Sequence, residues 1–317
     1  MENALIIEGV TKSYAGHLAV DDLSLTVPRG TIYGILGPNG AGKSTTLRMV
    51  MNIILPDRGD IRLLGEDPRT RRAVLKRVGY LPEERGLYRK MRVLDVIVFF
   101  AELKGVDRRT AAAQGREWLE RMDLSDWAMR KVETLSKGMQ QKVQFITTVL
   151  HRPDVLILDE PHSGLDPVNQ EVLRDTIFAA REEGRTVLLS THNMAQAQAT
   201  CEYVCIIARG RKVLDGGVSE IRRDHRGDRF QFEFDRASAQ VDRFMESSPY
   251  FAQSARDGLR WEVQVRPGTD TRRVIAELSE LDVPLARFEH IEPSLHEIFV
   301  ERVSRADRTA RMEVARA

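Results

Sequence analysis

A glycine-rich loop between an apolar run and a helix-forming segment constrains the fold of this chain more than any other feature. Residues 37–44 read Gly-Pro-Asn-Gly-Ala-Gly-Lys-Ser, which fits the pattern G-x-x-x-x-G-K-[ST]. The apolar run 31–36 before the loop predicts a strand, and residues 45–52 after it predict a helix. A strand that leads through such a loop into a helix is the beginning of an α/β fold built around a phosphate site.

The residue types in this loop suit a bound phosphate chain. Gly40 and Gly42 let the backbone curl so that several N–H groups face one anion at the positive end of the following helix. We expect Lys43 to reach the β- and γ-phosphate oxygens and the Ser44 hydroxyl to ligate Mg²⁺. A glycine-rich turn that binds nothing is the alternative, and the order of strand, loop and helix argues against it.

A second motif is a short apolar strand that ends in two carboxylates. Residues 156–158 are Leu-Ile-Leu, and Asp159 and Glu160 follow them directly. Asp159 suits Mg²⁺, and Glu160 is placed to orient or deprotonate an attacking water. A buried strand with an acidic end is common by itself, so the interpretation depends on the phosphate loop upstream.

The periodicity of apolar residues changes along the chain. Residues 3–68 read as strands and turns, and residues 69–152 read as a helical region. Two continuous apolar runs at 155–158 and 186–190 then predict parallel strands buried on both faces, with a helix at 168–183 between them. This alternation predicts an α/β core that carries a helical subdomain.

The composition changes again after Gly217. The charged stretch 222–228 predicts a linker. Short strands and helices alternate beyond it and predict a small α+β domain over residues 221–303: strands at 230–234, 261–265 and 286–290, and helices at 241–246, 271–281 and 294–303. The Arg- and Ala-rich tail 304–317 is expected to be a frayed helix or flexible.

Bulk properties exclude several classes of protein. The 48 Lys and Arg nearly cancel the 47 Asp and Glu, and the net charge of +1 provides little attraction to nucleic acid. Cys201 and Cys205 cannot form a disulfide framework, and without a second pair of ligands they do not predict a zinc site. The most apolar stretch, 93–100, is too short to cross a bilayer, so any action on membranes requires another chain to span them.

Five further motifs occur in the order found in one family. They comprise an aromatic residue early in the chain, a Tyr-Leu-Pro-Glu run, a Leu-Ser-Lys-Gly-Met-Gln-Gln run, a Ser-Gly-Leu-Asp run and a Thr-His pair, at Tyr14, 80–83, 135–141, 163–166 and 191–192. With the phosphate loop and the acidic strand, the set resembles the ATP-binding cassette (ABC) ATPases over residues 1–220. The resemblance implies a P-loop NTPase of the ABC ATPase type, with a mixed sheet core and a helical subdomain at about 69–152.

The resemblance also implies ligands and roles for single residues. ATP and Mg²⁺ are the expected cofactors, and Glu160, His192 and Lys43 are the expected catalytic residues. Mg²⁺ is assigned to Ser44, Glu83 and Asp159. The residues expected to contact the nucleotide are Tyr14, Gly37, Pro38, Asn39, Gly40, Ala41, Gly42, Lys43, Ser44, Thr45, Ser136, Gly138 and Asp166.

Some of these residues are expected to act on the nucleotide of a second protomer. In the family, two ATPase domains enclose two nucleotides head to tail, which implies a homodimer in the ATP-bound state. Ser136 and Gly138 would contact the γ-phosphate bound to the opposite protomer, and Asp166 would cross the interface. Tyr14 would stack on adenine, with an ordinary strand-end aromatic as the alternative. His162 has two interpretations, as a residue at the dimer interface and as an incidental polar residue.

Three positions depart from the family pattern. Lys137 and Met139 replace the usual Gly and Gln of the signature motif, and Glu83 stands where most members have Gln. A carboxylate can still bind Mg²⁺ directly or through water, so we interpret Glu83 as a variant of the site. A solvated surface acid is the alternative for Glu83, and the adjacent Glu84 is a rival for the same role.

The runs at 81–88 and 135–142 resemble the ATPases of type-2 ABC exporters, such as bacterial sodium-extrusion and antibiotic-resistance ATPases. That group carries a C-terminal accessory domain, commonly with an ending like residues 297–301. We therefore expect an ATP-hydrolysing subunit on the inner face of the cell membrane that drives a separate membrane-spanning permease. The alternative is a soluble ABC ATPase that acts on ribosomes or nucleic acid.

Overall fold

The computed structural model describes residues 2–84, 86–281 and 283–314, with side chains up to residue 304. It contains two compact units, the first with residues up to Val218 and from Arg302 onward, the second with Ser219–Glu301. The strands are β1 (Asn3–Tyr14), β2 (His17–Pro28), β3 (Ile32–Leu36), β4 (Arg58–Leu63), β5 (Val78–Leu81), β6 (Val155–Asp159), β7 (Thr186–Thr191), β8 (Tyr203–Ala208), β9 (Arg211–Gly217), β10 (Arg229–Phe234), β11 (Phe251–Asp257), β12 (Arg260–Val265) and β13 (Leu285–His290).

The α-helices lie mostly in the first unit. They are α1 (Lys43–Val50), α2 (Val93–Leu103), α3 (Arg108–Arg121), α4 (Lys137–Val149), α5 (Pro167–Glu182), α6 (Met194–Thr200), α7 (Val218–Asp224), α8 (Ala239–Ser247), α9 (Thr271–Ser279) and α10 (Leu295–Val314). Among the described residues, no helix is both long and apolar enough to cross a membrane.

The six-stranded sheet of the first unit has the order β5-β6-β7-β3-β8-β9. Its strands pair in parallel except for β9, which forms an antiparallel hairpin with β8. Every residue of β3, β6 and β7 is buried, as expected for continuous apolar runs covered on both faces. Because these three strands are parallel neighbours, their carboxyl ends meet at one edge of the sheet.

A three-stranded antiparallel sheet, of order β2-β1-β4, accompanies this core. The β1–β2 hairpin turns at Ala15 and Gly16, which both have positive φ angles, and Tyr14 pairs with His17 across the turn. With the six-stranded sheet it forms the mixed-sheet core, which confirms the predicted α/β class.

The helical region consists of α2, α3 and α4 packed on one another. The predicted apolar faces are buried: Val93, Ile97 and Leu119 are fully enclosed. Gly115 of α3 lies against α2, since a Cβ atom on it would approach Ile97 to 3.0 Å. One prediction here is wrong, because β5 lies inside the stretch 69–152 that was interpreted as helical. Four residues are too few to show a periodicity that separates a strand from a helix.

The second unit contains an antiparallel sheet of order β11-β12-β10-β13. Phe230, Phe232 and Trp261 lie in its core with apolar residues of α8 and α9. The strands and helices predicted for this region are present, but α7 continues to Asp224 in the predicted linker, and β11 was not predicted. α10 extends beyond the predicted helix to Val314. Residues 315–317 lie outside the described part of the chain, and the flexibility of the tail stays a prediction.

Candidate functional site

A cavity of about 530 Å³ opens at the carboxyl ends of β3, β6 and β7. We call it the phosphate-loop cavity. It is lined by Tyr14, His17, Ala19, Asn39, Gly40, Ala41, Gly42, Lys43, Ser44, Thr45, Glu83, Glu160, Ser163 and His192. Residues from six separate motifs of the sequence, including Ser163 of the Ser-Gly-Leu-Asp run, therefore share one cavity, while His17 and Ala19 belong to it without having been predicted.

The backbone of the phosphate loop has a shape that requires glycine. Gly42 has a φ angle of 104°, and a Cβ atom on it would lie 2.4 Å from the carbonyl oxygen of Ala19. Gly42 also precedes the first turn of α1, where no side chain caps the helix and no acidic residue is present. The N–H groups of this helix end are therefore not capped by a side chain, which suits an anion.

Lys43 supplies the positive charge of the loop. Its side chain is 6% exposed, and its ammonium group donates to the carbonyl oxygens of Gly37 and Pro38 at 2.8 and 3.2 Å. Oε1 of Glu160 lies 3.6 Å from the same nitrogen. The predicted residues Gly37 and Pro38 thus do not line the cavity. Their carbonyl oxygens instead hold the ammonium group of Lys43 in place.

Asp159 lies below the loop with an arrangement that fits a bound cation. Its Oδ1 accepts hydrogen bonds from Ser44 Oγ at 3.1 Å and from Ser190 Oγ, while its buried Oδ2 has no hydrogen-bond partner among the described residues. Burial raises the pKa of this carboxyl, and the two hydroxyl donors offset part of that effect.

An unpartnered buried carboxylate oxygen beside a hydroxyl is a donor set that Mg²⁺ accepts. Among the described residues, no group of three or more His, Cys, Asp and Glu side chains could hold a metal ion by itself. A magnesium ion here would therefore need further oxygens from a bound phosphate chain and from water.

Glu160 and His192 form a contact across the cavity. The Nδ1 atom of His192, which follows β7, lies 2.9 Å from Oε1 of Glu160, which follows β6. Glu160 is 12% exposed and has a positive φ angle of 47°. Its N–H group donates to the carbonyl oxygen of Ser190, which fixes this unusual backbone. The carboxylate is thus held at the cavity wall between a lysine and an imidazole.

Tyr14 and Glu83, for which the sequence left an alternative interpretation, lie at the outer wall of the cavity. Tyr14 is an exposed ring at the end of β1, with the ammonium of Lys12 5.6 Å from its centroid. Glu83 lines the cavity, whereas the neighbouring Glu84 faces another groove and lies 3.6 Å from the guanidinium of Arg48. This placement favours Glu83 over its rival as the carboxylate near the phosphate loop.

Besides Gly37 and Pro38, three more predicted nucleotide contacts are not part of the cavity. The Ser136 hydroxyl caps α4 by accepting from the N–H of Met139 at 3.2 Å. A Cβ atom on Gly138 would lie 3.0 Å from the carbonyl oxygen of Gly164, so this glycine packs against the loop that precedes α5. Asp166 caps α5 by accepting from the N–H of Asn169 at 3.0 Å. Each has a structural role within its own chain.

His162 lies next to this group of loops. Its Nδ1 atom is buried without a hydrogen-bond partner among the described residues, and burial lowers its pKa. Neither of the two interpretations of His162 is decided by this placement. Ser190 is the functional residue that sequence reasoning missed, although its position at the end of a predicted strand beside β6 gave a signal.

A second cavity, of about 640 Å³, lies beside Tyr80, and we call it the Tyr80 groove. It is lined by Arg48, Ile53, Ile54, Tyr80, Pro82, Glu84, Gly86, Leu87, Phe100, Lys104, Gln144, Thr147, Thr148 and His151. Three of its polar atoms are buried without a partner among the described residues, namely Tyr80 Oη, Gln144 Oε1 and His151 Nδ1. The Lys104 ammonium donates to the carbonyl oxygens of Leu75 and Val78, and burial lowers its pKa.

Comparison with known proteins agrees with this geometry. Residues 20–163 match the family described as "ABC transporter", and residues 216–303 match "ATP-binding protein DrrA1-3-like, C-terminal domain". The chain is 40% identical over 301 residues to the uncharacterized ABC transporter ATP-binding protein YhaQ of Bacillus subtilis, covering 94% of this chain and 98% of that protein.

Other relatives have more specific names. The chain is 38% identical to the Nod factor export ATP-binding protein I of Paraburkholderia xenovorans, over 69% of this chain and 73% of that protein. It is 34% identical to the daunorubicin resistance ATP-binding protein DrrA3 of Streptomyces coeruleorubidus, over 72% of each. A solved ATP-binding subunit of an ABC transporter, 28% identical, superposes with a TM-score of 0.66 over 70% of this chain and 92% of that one. The chain therefore belongs to the ATP-binding proteins of ABC transporters and is an ATPase of that family.

Proposed function

We propose that this chain is the motor of an ABC exporter, which hydrolyses ATP in its phosphate-loop cavity and thereby drives a separate membrane-spanning permease. The observation that carries this proposal is that Lys43, Ser44 and Glu160 line one cavity at the ends of three parallel strands, with Asp159 hydrogen-bonded to Ser44. The names of the relatives in Nod factor export and daunorubicin resistance support export as the direction.

In this proposal, different residues of the cavity bind the phosphates, Mg²⁺ and adenine. The free N–H groups at the start of α1 and the Lys43 ammonium bind the β- and γ-phosphates. Ser44 and Asp159 would hold Mg²⁺, with Glu83 within reach of the same cavity; when bound, the ion neutralises charge that develops on the phosphates. Tyr14 provides a ring on which adenine can stack.

Glu160 is the residue that acts on water. Its carboxylate orients the attacking water and accepts its proton, because it is ionisable, nearly buried and next to the phosphate loop. His192, at 2.9 Å from this carboxylate, is exposed toward the open side of the cavity, where it can contact the γ-phosphate and stabilise the charge of the transition state.

The site is completed by a second copy of the chain. Ser136 and Gly138 lie at the start of α4 and outside the cavity of their own chain, so we assign them to the γ-phosphate held by the other protomer. Asp166 belongs to the same interface. On this basis the ATP-bound state is a homodimer, and hydrolysis is a property of the dimer.

The Tyr80 groove is the surface that we assign to the permease. Its wall is largely apolar, and its three unpaired polar atoms would gain hydrogen bonds from a docked segment. Because Glu83 and Glu84 are adjacent in the chain and face the two cavities, a shift of this loop couples the permease to the phosphates. The protein would then act peripherally on the cytoplasmic face of the cell membrane.

Reconstitution tests the proposal. The chain is purified with the membrane protein encoded beside it and placed in lipid vesicles, and ATP hydrolysis and transport are measured together. We expect hydrolysis that depends on Mg²⁺ and rises with the permease. Hydrolysis that is unchanged by the permease, with copurification of ribosomes or RNA, would instead support a soluble ATPase.

A further inference from the structure

The strand β13 is an open edge of the sheet in the second unit. Within the described residues it pairs only with β10, and residues 286–289 are exposed. Open edges are usually blocked by bulges, prolines or a covering element. Each edge strand carries one shift of register, β11 between Phe251 and Gln253 and β13 between Leu285 and Arg287, but from Arg287 to His290 the pairing of β13 is regular.

The register defines which backbone groups of β13 are free. The N–H of Ile291 donates to the carbonyl oxygen of Arg229, which makes these two residues a hydrogen-bonded pair. Because such pairs alternate along an antiparallel ladder, Glu289 and Arg287 also face β10. The N–H and C=O groups of Phe288 and His290 therefore point away from the sheet, whereas Ala286 lies at the register shift, where this alternation is interrupted.

The sequence of β13 is complementary to itself when two copies run antiparallel. If Phe288 lies opposite Phe288 of a second copy, the outward-facing N–H and C=O groups of these two residues meet each other and can form two hydrogen bonds. In the same register, Arg287 lies opposite Glu289 of the second copy, and Glu289 lies opposite its Arg287.

The side chains fit this register on both faces. Arg287 and Glu289 are 56% and 48% exposed and already form an ion pair within one chain. In the paired edges, each would gain an opposite charge from the second copy. On the other face, Phe288 is 37% exposed and stacks on Phe230 at 5.5 Å, so a second Phe288 would cover the open side of this aromatic layer.

We propose that two copies of this chain associate through their β13 edges, which join the two accessory sheets into one continuous sheet. This contact goes beyond the ATP-dependent dimer described above and does not require nucleotide. Edge pairing alone buries little surface and is expected to be weak. Its effect is to raise the local concentration of one ATPase unit around the other, which favours the closed dimer without a new contact at the nucleotide.

Cysteine cross-linking tests the register. In the full chain without nucleotide, Phe288→Cys places two cysteines opposite each other with Cα atoms about 5.5 Å apart, within the range that a disulfide spans. We expect a covalent dimer under mild oxidation. Ala286→Cys is the matched control, because its counterpart in the second copy lies about 13 Å away in this register. No dimer with Phe288→Cys, or equal cross-linking of both variants, would overturn the proposal.

Exchanging the charges of Arg287 and Glu289 tests the pairing between two copies without introducing a thiol. Sedimentation of the nucleotide-free chain should show that Arg287→Glu and Glu289→Arg each weaken self-association by about tenfold, because each brings like charges together. The double variant R287E/E289R should restore it to near the wild-type value, since both pairs regain opposite charges. A double variant as weak as the single ones, or a wild-type chain that stays monomeric, would contradict pairing between copies.

Discussion

In the phosphate-loop cavity, the charged groups are held by partners of the same chain, whereas in the Tyr80 groove three polar atoms have none among the described residues. Lys43 is bonded to two carbonyl oxygens, Ser44 to Asp159, and His192 lies within bonding distance of Glu160. The exception in the first cavity is Oδ2 of Asp159, the atom that suits a metal ion.

The difference teaches what each cavity requires from its occupant. A nucleotide that enters the phosphate-loop cavity must replace hydrogen bonds that the side chains of this site already make within the chain. These bonds hold the side chains in place, and the binding free energy is the difference between the bonds lost and the bonds gained. A segment that docks in the Tyr80 groove would instead provide hydrogen-bond partners for polar atoms that have none among the described residues. Four variants test this contrast, and they follow in order of the effect expected.

The largest effect is expected at Glu160, the carboxylate that we propose to activate water. Glu160→Gln retains the shape and the contact with His192 but removes the base, so hydrolysis should fall by about 10²- to 10⁴-fold while ATP still binds. Phosphate release and equilibrium binding of nucleotide measure the two properties separately. Glu182→Gln, an exposed carboxylate on α5, is the control. Near-normal hydrolysis by the Glu160 variant would show that another group activates the water.

The second prediction concerns the rigidity of the phosphate loop. Gly37 has a φ angle of 152°, and a Cβ atom on it would lie 2.1 Å from the carbonyl oxygen of Ile207. Gly37→Ala should therefore lower the free energy of unfolding by about 3 kcal/mol, through strain and overlap together. Gly40→Ala, at a φ angle of 78° with no atom within 4 Å, should cost about 1 kcal/mol. Equal losses in urea unfolding would show that the loop relaxes around the added carbon.

The third prediction concerns protonation in the Tyr80 groove. Burial, with a smaller effect of the Lys104 ammonium, lowers the pKa of His151 from 6.5 to about 4. As the pH falls, His151 is protonated in the unfolded chain before it is protonated in the folded chain. The free energy of unfolding is therefore highest above pH 6.5 and decreases as the pH falls toward 4.

The variant His151→Gln removes this titration. Between neutral pH and pH 4, the stability of the wild-type chain should fall further than that of the variant, by about 1–2 kcal/mol after allowance for the partly exposed imidazole. Urea unfolding at a series of pH values measures both slopes. Parallel slopes would mean that the imidazole is protonated in the folded chain as readily as in the unfolded one.

The smallest effect separates two tyrosines of the same sheet, the buried Tyr33 and the half-buried Tyr80. Tyr80 Oη is buried without a hydrogen-bond partner among the described residues, so Tyr80→Phe should leave stability unchanged or raise it by up to about 1 kcal/mol. The control is Tyr33→Phe, because the Tyr33 hydroxyl donates to Asp215 at 2.6 Å and its loss should cost about 1–3 kcal/mol.

Thermal or urea unfolding of the two phenylalanine variants gives the comparison directly. A loss of stability in Tyr80→Phe as large as in Tyr33→Phe would show that the Tyr80 hydroxyl is satisfied in solution. In that case the Tyr80 groove would resemble the phosphate-loop cavity, and the contrast between them would disappear.

The parts of this fold that depend on short sequence motifs were predictable. The phosphate loop at 37–44 and the acidic end at 159–160 each follow a buried apolar strand, and parallel pairing brings both to one edge of the sheet. The family order of the other motifs supplied Tyr14 and His192. In contrast, Ser190 carries no motif signal of its own, and only the pairing of β6 with β7 brings it beside Asp159.

The misassigned segments have a common physical cause. β5 is four residues long and β11 is mostly exposed, so neither has the apolar pattern that marks a strand. Both are defined by a neighbour in the sheet, β6 and β12 respectively. The helix α7 likewise occupies a charged stretch that resembles a linker in composition. Tertiary pairing, which is not visible in one segment alone, decided these three elements.

The close approach of Gly138 to the carbonyl oxygen of Gly164, 3.0 Å from the position of a Cβ atom, also limits how this protein can change by mutation. Any side chain at 138 needs a compensating shift of the loop before α5, and that loop begins at Glu160. An alanine at 138 would thus require this loop to move by a few tenths of an ångström, whereas the side chain of the neighbouring Lys137 is exposed and meets no such limit.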